Sequence, residues 1–276
     1  MQRLAISAVL LLSCLATGCV SNVAKMISEY HQVGDKEQGV TFYVGGAGPV
    51  GNVGSLDVPN GLHDAGYTGF IEIFPWQSLT HAGDQINLSR NRGKAAELAA
   101  AIRAYRRSHP KQPINIIALS AGTGVATWAL EYLPEKIQVD HVVFLGCSIS
   151  SNYDLTRALS RINRGLYVIY SDLDPILQKV VWYTGTVDRS SAEEGVAGIE
   201  GFHPPPREGP DTLRQYRKMH NVPYRIDFAD TGYEGGHTDS TSRLFIAEYI
   251  GPVLLGDDRK LLSEPEEISR RVANSA

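Results

Sequence analysis

One stretch constrains this chain more than any other: a β-favouring run that stops at a serine set between small neighbours. Ile114-Asn115-Ile116-Ile117-Ala118-Leu119 is rich in β-branched side chains and almost free of polar ones. That is the pattern of a strand covered on both faces. Ser120 follows, with Ala118 two residues before it and Gly122 two residues after. Beyond Gly124 the period turns helical, with Val125, Trp128, Ala129 and Tyr132 recurring until Pro134. A buried parallel strand that turns sharply into a helix brings the two elements close together, so the positions flanking the turn must be small. The serine itself is forced into a strained backbone with its hydroxyl clear of the sheet. The helix N-terminus behind it offers unpaired N–H groups and positive partial charge to a developing anion. Alone, small-x-Ser-x-small also fits a serine that merely starts a helix, and the other strand ends have to decide between the two.

Strand and helix patterns alternate through the rest of the chain. Strands are predicted over Val40–Val44, Gly69–Phe74, Ile114–Leu119, His141–Leu145, Leu166–Tyr170 and Val222–Phe228. Helices are predicted from the mid-50s to Ala65, from about Asn91 to Ser108 with Leu98, Ile102 and Tyr105 inward, from Val125 to Tyr132, and from Asn152 to Asn163. A closing helix runs through Leu244, Phe245, Glu248 and Tyr249. This order predicts an α/β fold, a mostly parallel central sheet with helices on both faces. A chain of 276 residues suits one large domain of this kind or two small ones, and a single domain is assigned to residues 39–255. Within it, 179–221 carries Gly195, Gly198, Gly201 and Pro204-Pro205-Pro206 and is longer than a simple connection. It is read either as a lid facing the substrate or as a peripheral insertion. Residues 256–276 form a charged C-terminal tail.

In such sheets ligands sit beyond the carboxyl ends of the strands, and four of these ends carry suitable groups. Ser120 is a candidate nucleophile, Ser171-Asp172-Leu173-Asp174 supplies carboxylates, Gly235-Gly236-His237 supplies a base, and Gly45-Gly46-Ala47-Gly48 supplies bare backbone. A serine hydroxyl is a poor nucleophile until a base takes its proton, and the base needs a carboxylate to fix its tautomer. With Ser, Asp and His in that order after separate strands, the chain resembles the α/β-hydrolase superfamily on its esterase and lipase side, over about residues 40–250. The resemblance implies Ser120 as nucleophile, His237 as base and Asp174 as acid, with Asp172 its close rival. It also implies an oxyanion hole from Gly46, Ala47 and Ala121. The expected activity is a serine hydrolase that opens a carboxylic-ester-like bond through an acyl-enzyme, without metal or organic cofactor. The family usually has glycine on both flanks of the serine, and Ala118 replaces the first.

Two other classes fit parts of the sequence. A domain of this fold can bind a ligand or partner without turning it over. Gly46-Ala-Gly48-Pro-Val-Gly51 is also a literal G-x-G-x-x-G after a strand, with Glu72 on the next strand where a ribose-binding acid would be sought. That dinucleotide reading leaves the Ser120 turn and Gly-Gly-His unexplained.

The N-terminus reads as a targeting segment. Arg3 precedes an apolar run, Leu4 to Ala16, too short to span a membrane as a helix. Leu15-Ala16-Thr17-Gly18-Cys19 resembles a bacterial lipobox. The resemblance implies a signal peptide of residues 1–18, lipid on Cys19 and a tether over 19–38; an ordinary signal peptide that happens to contain Cys19 is the alternative. With Val20 next, the implied location is the cell envelope, at the periplasmic face of a bacterial outer membrane. Of three cysteines, Cys14 would leave with the leader and Cys19 would carry lipid. Cys147 is left as a packed thiol, with no intramolecular disulfide available. His81, His203 and His220 sit in loops without ligand spacing, so no metal role is assigned. The net charge of −4 and the absence of a basic cluster beyond Arg103, Arg106 and Arg107 leave nucleic acid no electrostatic footprint. The expected partners are a small-molecule or lipid-like ester and, through the anchor, a membrane. Oligomeric state is not legible.

Overall fold

The computed structural model describes residues 34–47, 53–77, 87–181, 185–191, 194–206 and 209–263. The leader, Cys19, Gly48, Gly51, His81 and residues 264–276 lie outside them. Six strands form one sheet: β1 (Asp35–Val44), β2 (Gly69–Ile73), β3 (Ile114–Leu119), β4 (Val139–Leu145), β5 (Ile162–Tyr170) and β6 (Met219–Pro223). Their order is β2-β1-β3-β4-β5-β6 and every neighbouring pair is parallel. All six residues of β3 are buried, as its uninterrupted apolar run requires of a strand inside a doubly covered sheet.

The period-2 alternation of the strands divides the core. Phe42, Val44, Ile116, Ala118, Val142, Phe144 and Val168 point to one face. There they meet α2 (Leu88–Ser108), through Leu98, Ile102 and Tyr105, and α3 (Gly122–Tyr132), through Val125, Trp128 and Ala129. Tyr43, Ile117, Leu119, Val143, Leu145 and Ile169 point to the other. That face is covered by α1 (Asp57–Asp64) and by a C-terminal run of α7 (Arg243–Phe245), a π-turn (Ile246–Ile250) and α8 (Gly251–Leu254). Pro252 has no N–H to give, and its ring would strike the carbonyl four residues back, which accounts for the widened turn before it. The expected α/β architecture is the one observed, and it is consistent with an α/β-hydrolase fold.

Several boundaries differ from expectation. β1 starts at Asp35, so the last residues assigned to the tether lie in the sheet, Asp35 beside Gly69. The helix expected over 152–163 is cut to α4 (Thr156–Leu159), because β5 begins at Ile162, paired with Val139. The last strand was expected over Val222–Phe228 but occupies Met219–Pro223. After it the chain leaves the sheet edge and forms a 3-10 turn, Ile226–Thr231. That turn puts Phe228 against Tyr233, Phe245 and Tyr249, a burial that an extended edge strand would not give it.

The described part of 179–221 belongs to the body of the domain. Val187, Ala197 and Phe202 are buried in the first core. The backbone is bonded to the loop after β4, with Val187 N–H to Ser148 O at 2.9 Å, Ala197 N–H to Ile149 O at 2.9 Å and Gly198 N–H to Cys147 O at 2.8 Å. It then leads through α5 (Ala197–Glu200) and α6 (Pro210–Tyr216) into β6. The start of the expected tail also packs on the domain, through α9 (Arg259–Leu262) and the buried Leu261.

Candidate active site

Ser120 closes β3 with φ +53°, one of two non-glycine residues with positive φ among those described. Such a conformation costs on the order of 1–3 kcal/mol and persists only where its surroundings fix it. Here both sides of the residue are tied. Its N–H donates to Leu145 O at the end of β4, 2.9 Å away. Its carbonyl accepts from the Thr123 N–H at 3.0 Å and from the Thr123 hydroxyl at 2.6 Å. Thr123 is wholly buried, and its oxygen also accepts the Cys147 thiol at 3.3 Å. Burial pushes that thiol up to about 12, so Cys147 acts as a packed donor rather than a reactive sulfur. Gly122 is small by necessity: a Cβ there would lie 2.3 Å from Gly45 O and 2.4 Å from Val44 O.

The turn after β5 presents the acid. Asp174 is 2% exposed, while Asp172 is exposed, so the geometry favours the first of the two candidates. Asp174 Oδ1 accepts the N–H groups of Ile176 and Leu177, both at 2.9 Å. Those bonds fix the carboxylate plane and leave Oδ2 for the histidine. His237 Nδ1 stands 2.6 Å from Asp174 Oδ2, and its Nε2 stands 2.8 Å from Ser120 Oγ. A carboxylate can only accept, so Nδ1 carries the proton and donates. Nε2 is left with its lone pair, facing the serine hydroxyl.

Two glycines shape the turn into His237 and a third makes room for its imidazole. Gly235 (φ +91°) packs against Ser171 and Leu173, and the Gly236 N–H donates to Asp239 Oδ2 at 3.0 Å. Gly146, directly after β4, has φ +49°, and a Cβ there would sit 3.1 Å from His237 Nδ1. Gly146 and Thr123 were not singled out for the site from the sequence. A glycine immediately after a strand was the one available signal for the former. The third backbone feature is the loop after β1, where Gly46 is buried and Ala47 half-buried. Ala121 is the N-cap of α3, a position whose N–H the helix itself does not use.

Glu72, the acid of the dinucleotide reading, lies within β2 opposite Phe42 instead of at a strand end. Burial raises its carboxyl, with Lys36 opposing. No group of three or more His, Cys, Asp or Glu side chains among the described residues is arranged to hold a metal.

A buried carboxylate, an imidazole and a strained serine are thus in line at the carboxyl edge of a parallel sheet. Among solved structures the chain is similar to the crystal structure of Aspergillus fumigatus lipase B, with a TM-score of 0.49 and 14% identity, over 81% of this chain and 54% of that one. The chain therefore spans about half the length of that lipase. No protein-family model and no curated protein matches the sequence.

Proposed function

We propose that this protein is a serine hydrolase of the α/β-hydrolase type, cleaving a carboxylic-ester-like bond. The observation that carries this is the continuous line Asp174 Oδ2, His237 Nδ1, His237 Nε2, Ser120 Oγ, with contacts of 2.6 and 2.8 Å between groups from three separate loops. His237 takes the Ser120 proton as the serine oxygen attacks the acyl carbonyl, and Asp174 holds the imidazolium that results. The N–H groups of Ala121 and of Gly46 or Ala47 receive the oxyanion. One such donor is typically worth roughly 3 kcal/mol of barrier. The proton then passes from His237 to the leaving alcohol, and water activated by the same histidine releases the acyl group. Lipid on Cys19, with anchoring at the cell envelope, belongs to the same proposal and gives the enzyme access to lipid-like esters.

The test is labelling by a fluorophosphonate probe together with hydrolysis of short p-nitrophenyl esters. Wild-type protein is expected to do both and Ser120→Ala neither. Folded wild type that stays unlabelled, or Ser120→Ala that still labels, overturns the assignment, and a protein that only binds ligands would show no turnover. For the anchor, Cys19→Ser is expected to move the protein from the membrane to the soluble fraction; unchanged partition removes the anchor.

A further inference from the structure

The loop proposed to hold the oxyanion begins with two adjacent glycines, and that is a physical problem. Glycine backbone accepts either orientation of a peptide plane at little cost, so the Gly45–Gly46 peptide could present either its N–H or its carbonyl to the site. A carbonyl facing a developing oxyanion would repel it. Something has to select one orientation before substrate arrives, because donors stabilise a transition state best when they need no rearrangement.

Trp76 meets that need. It is wholly buried, and its indole Nε1–H donates to Gly45 O at 2.7 Å. Its position follows from the sheet: the Phe74 N–H still bonds to Tyr43 O at 2.9 Å, extending the β1–β2 ladder past the end of β2. The Trp76 carbonyl in turn accepts from the Arg90 guanidinium on α2. The same Gly45 oxygen is the atom onto which Gly122 packs, 2.3 Å from where a Cβ would stand. One carbonyl is thus held by an indole on one side and seated against the first turn after Ser120 on the other. In a trans peptide the C=O and the following N–H point in opposite directions. Fixing Gly45 O therefore fixes the Gly46 N–H on the opposite side of the plane.

We infer that Trp76 is a positioning residue for the oxyanion hole, its indole N–H locking the Gly45–Gly46 peptide in the donor-presenting orientation. This rests on the serine-hydrolase assignment above and adds to it a residue that touches no substrate. One net hydrogen bond of this kind shifts a two-state population by roughly a factor of ten.

The test compares wild type with Trp76→Phe, and with the sulfur isostere 3-benzothienylalanine placed at position 76, which keeps the bicyclic shape and loses only the N–H. Both are expected to lower kcat about tenfold with KM within about twofold, the signature of an interaction made in the transition state. Affinity for a trifluoromethyl ketone, which forms a tetrahedral adduct on the serine, should fall in parallel. A residue that merely packs would lower the thermal midpoint in the Phe variant and leave kcat per folded molecule and inhibitor affinity unchanged in the isostere. That result overturns the inference while the hydrolase assignment stands. Wild type that neither labels nor hydrolyses overturns both. Should Trp76→Phe fail to fold, the isostere decides alone.

Discussion

At Ser120 the side chain and the backbone make opposite demands. The hydroxyl must stand free to meet His237, yet the positive φ that exposes it is a conformation that non-glycine residues avoid. The Thr123 hydroxyl resolves the conflict by bonding to the Ser120 carbonyl from within the core, backed by the Cys147 thiol. Thr123→Val keeps the shape and removes that bond. Expected are a loss of about 1–2 kcal/mol of stability, as for a buried polar group left unpaired, and a several-fold fall in kcat. Thr123→Ser should restore both, and urea titration alongside ester hydrolysis checks the pair. Equal behaviour of Val and Ser would remove Thr123 from the support of the turn. For Cys147, complete burial and a thiol pushed up to about 12 predict resistance to iodoacetamide in the folded protein and rapid alkylation in denaturant. Intact mass before and after unfolding reads this directly, and equal rates in the two states would contradict it.

Where β1 and β3 run into α3, a single methyl group decides whether the elements can meet. Alanine is intrinsically better than glycine in a helix by up to about 1 kcal/mol. Gly122→Ala should nonetheless destabilise, by roughly 1–3 kcal/mol of overpacking, because the new Cβ would fall on the carbonyls of Gly45 and Val44. A lowered thermal midpoint and lost esterase activity are expected; an unchanged midpoint would mean the contact is looser than the geometry requires. This juxtaposition also explains what was legible in the sequence. Ser120 and Asp174 were readable because each sits in the turn that directly follows a strand, where local pattern and site coincide, and His237, fourteen residues beyond β6, was readable through its Gly-Gly approach. The central strand and α2 were readable because their periodicity agrees with their burial. β6 was misjudged because the alternation of Val222, Tyr224, Ile226 and Phe228 reads as a strand. Tertiary packing of Phe228 among aromatic rings prevails over it, and Ile226 is left 69% exposed. Gly146 and Trp76 act through partners far away in the chain, His237 and Gly45, and Thr123 acts on a backbone carbonyl three residues back; apart from the place of Gly146 directly after a strand, no local pattern marks these roles.

Across the whole molecule the sheet is chemically asymmetric. Its carboxyl edge carries the candidate site, while a row of buried polar groups crosses one face nearer the strand starts. Thr41 donates to the Tyr67 hydroxyl at 2.8 Å, Asn115 Oδ1 meets the His141 backbone N–H at 3.2 Å and His141 Nδ1 at 3.3 Å, and Tyr167 stacks on His220 at 5.0 Å and donates to Asp258 at 2.8 Å. His141 is 6% exposed, and burial pulls its imidazole down to about 4, with Asp140 and Asp258 opposing and Arg164 assisting. His220 is lowered too, by burial, against the pull of Asp258. The sign follows from the direction of the shift. Above the ordinary histidine value near 6.5, His141 is neutral in both folded and unfolded chains and costs nothing. As pH falls from about 6.5 toward 4 the unfolded chain takes up a proton that the folded one refuses, and stability drains away, by roughly 3 kcal/mol for His141 once pH passes its folded value. Glu72 and Glu131, whose carboxyls are raised chiefly by burial, work in the opposite sense, since the fold gains protons on them first. The contribution of His141 is therefore read as a difference. His141→Gln keeps an amide donor for Asn115 and cannot titrate, so its unfolding free energy should gain on that of wild type as pH falls from 7 to 4.5. Urea titrations of the two proteins at half-unit pH steps measure this, and a flat difference over that interval would mean that His141 is not held neutral in the fold.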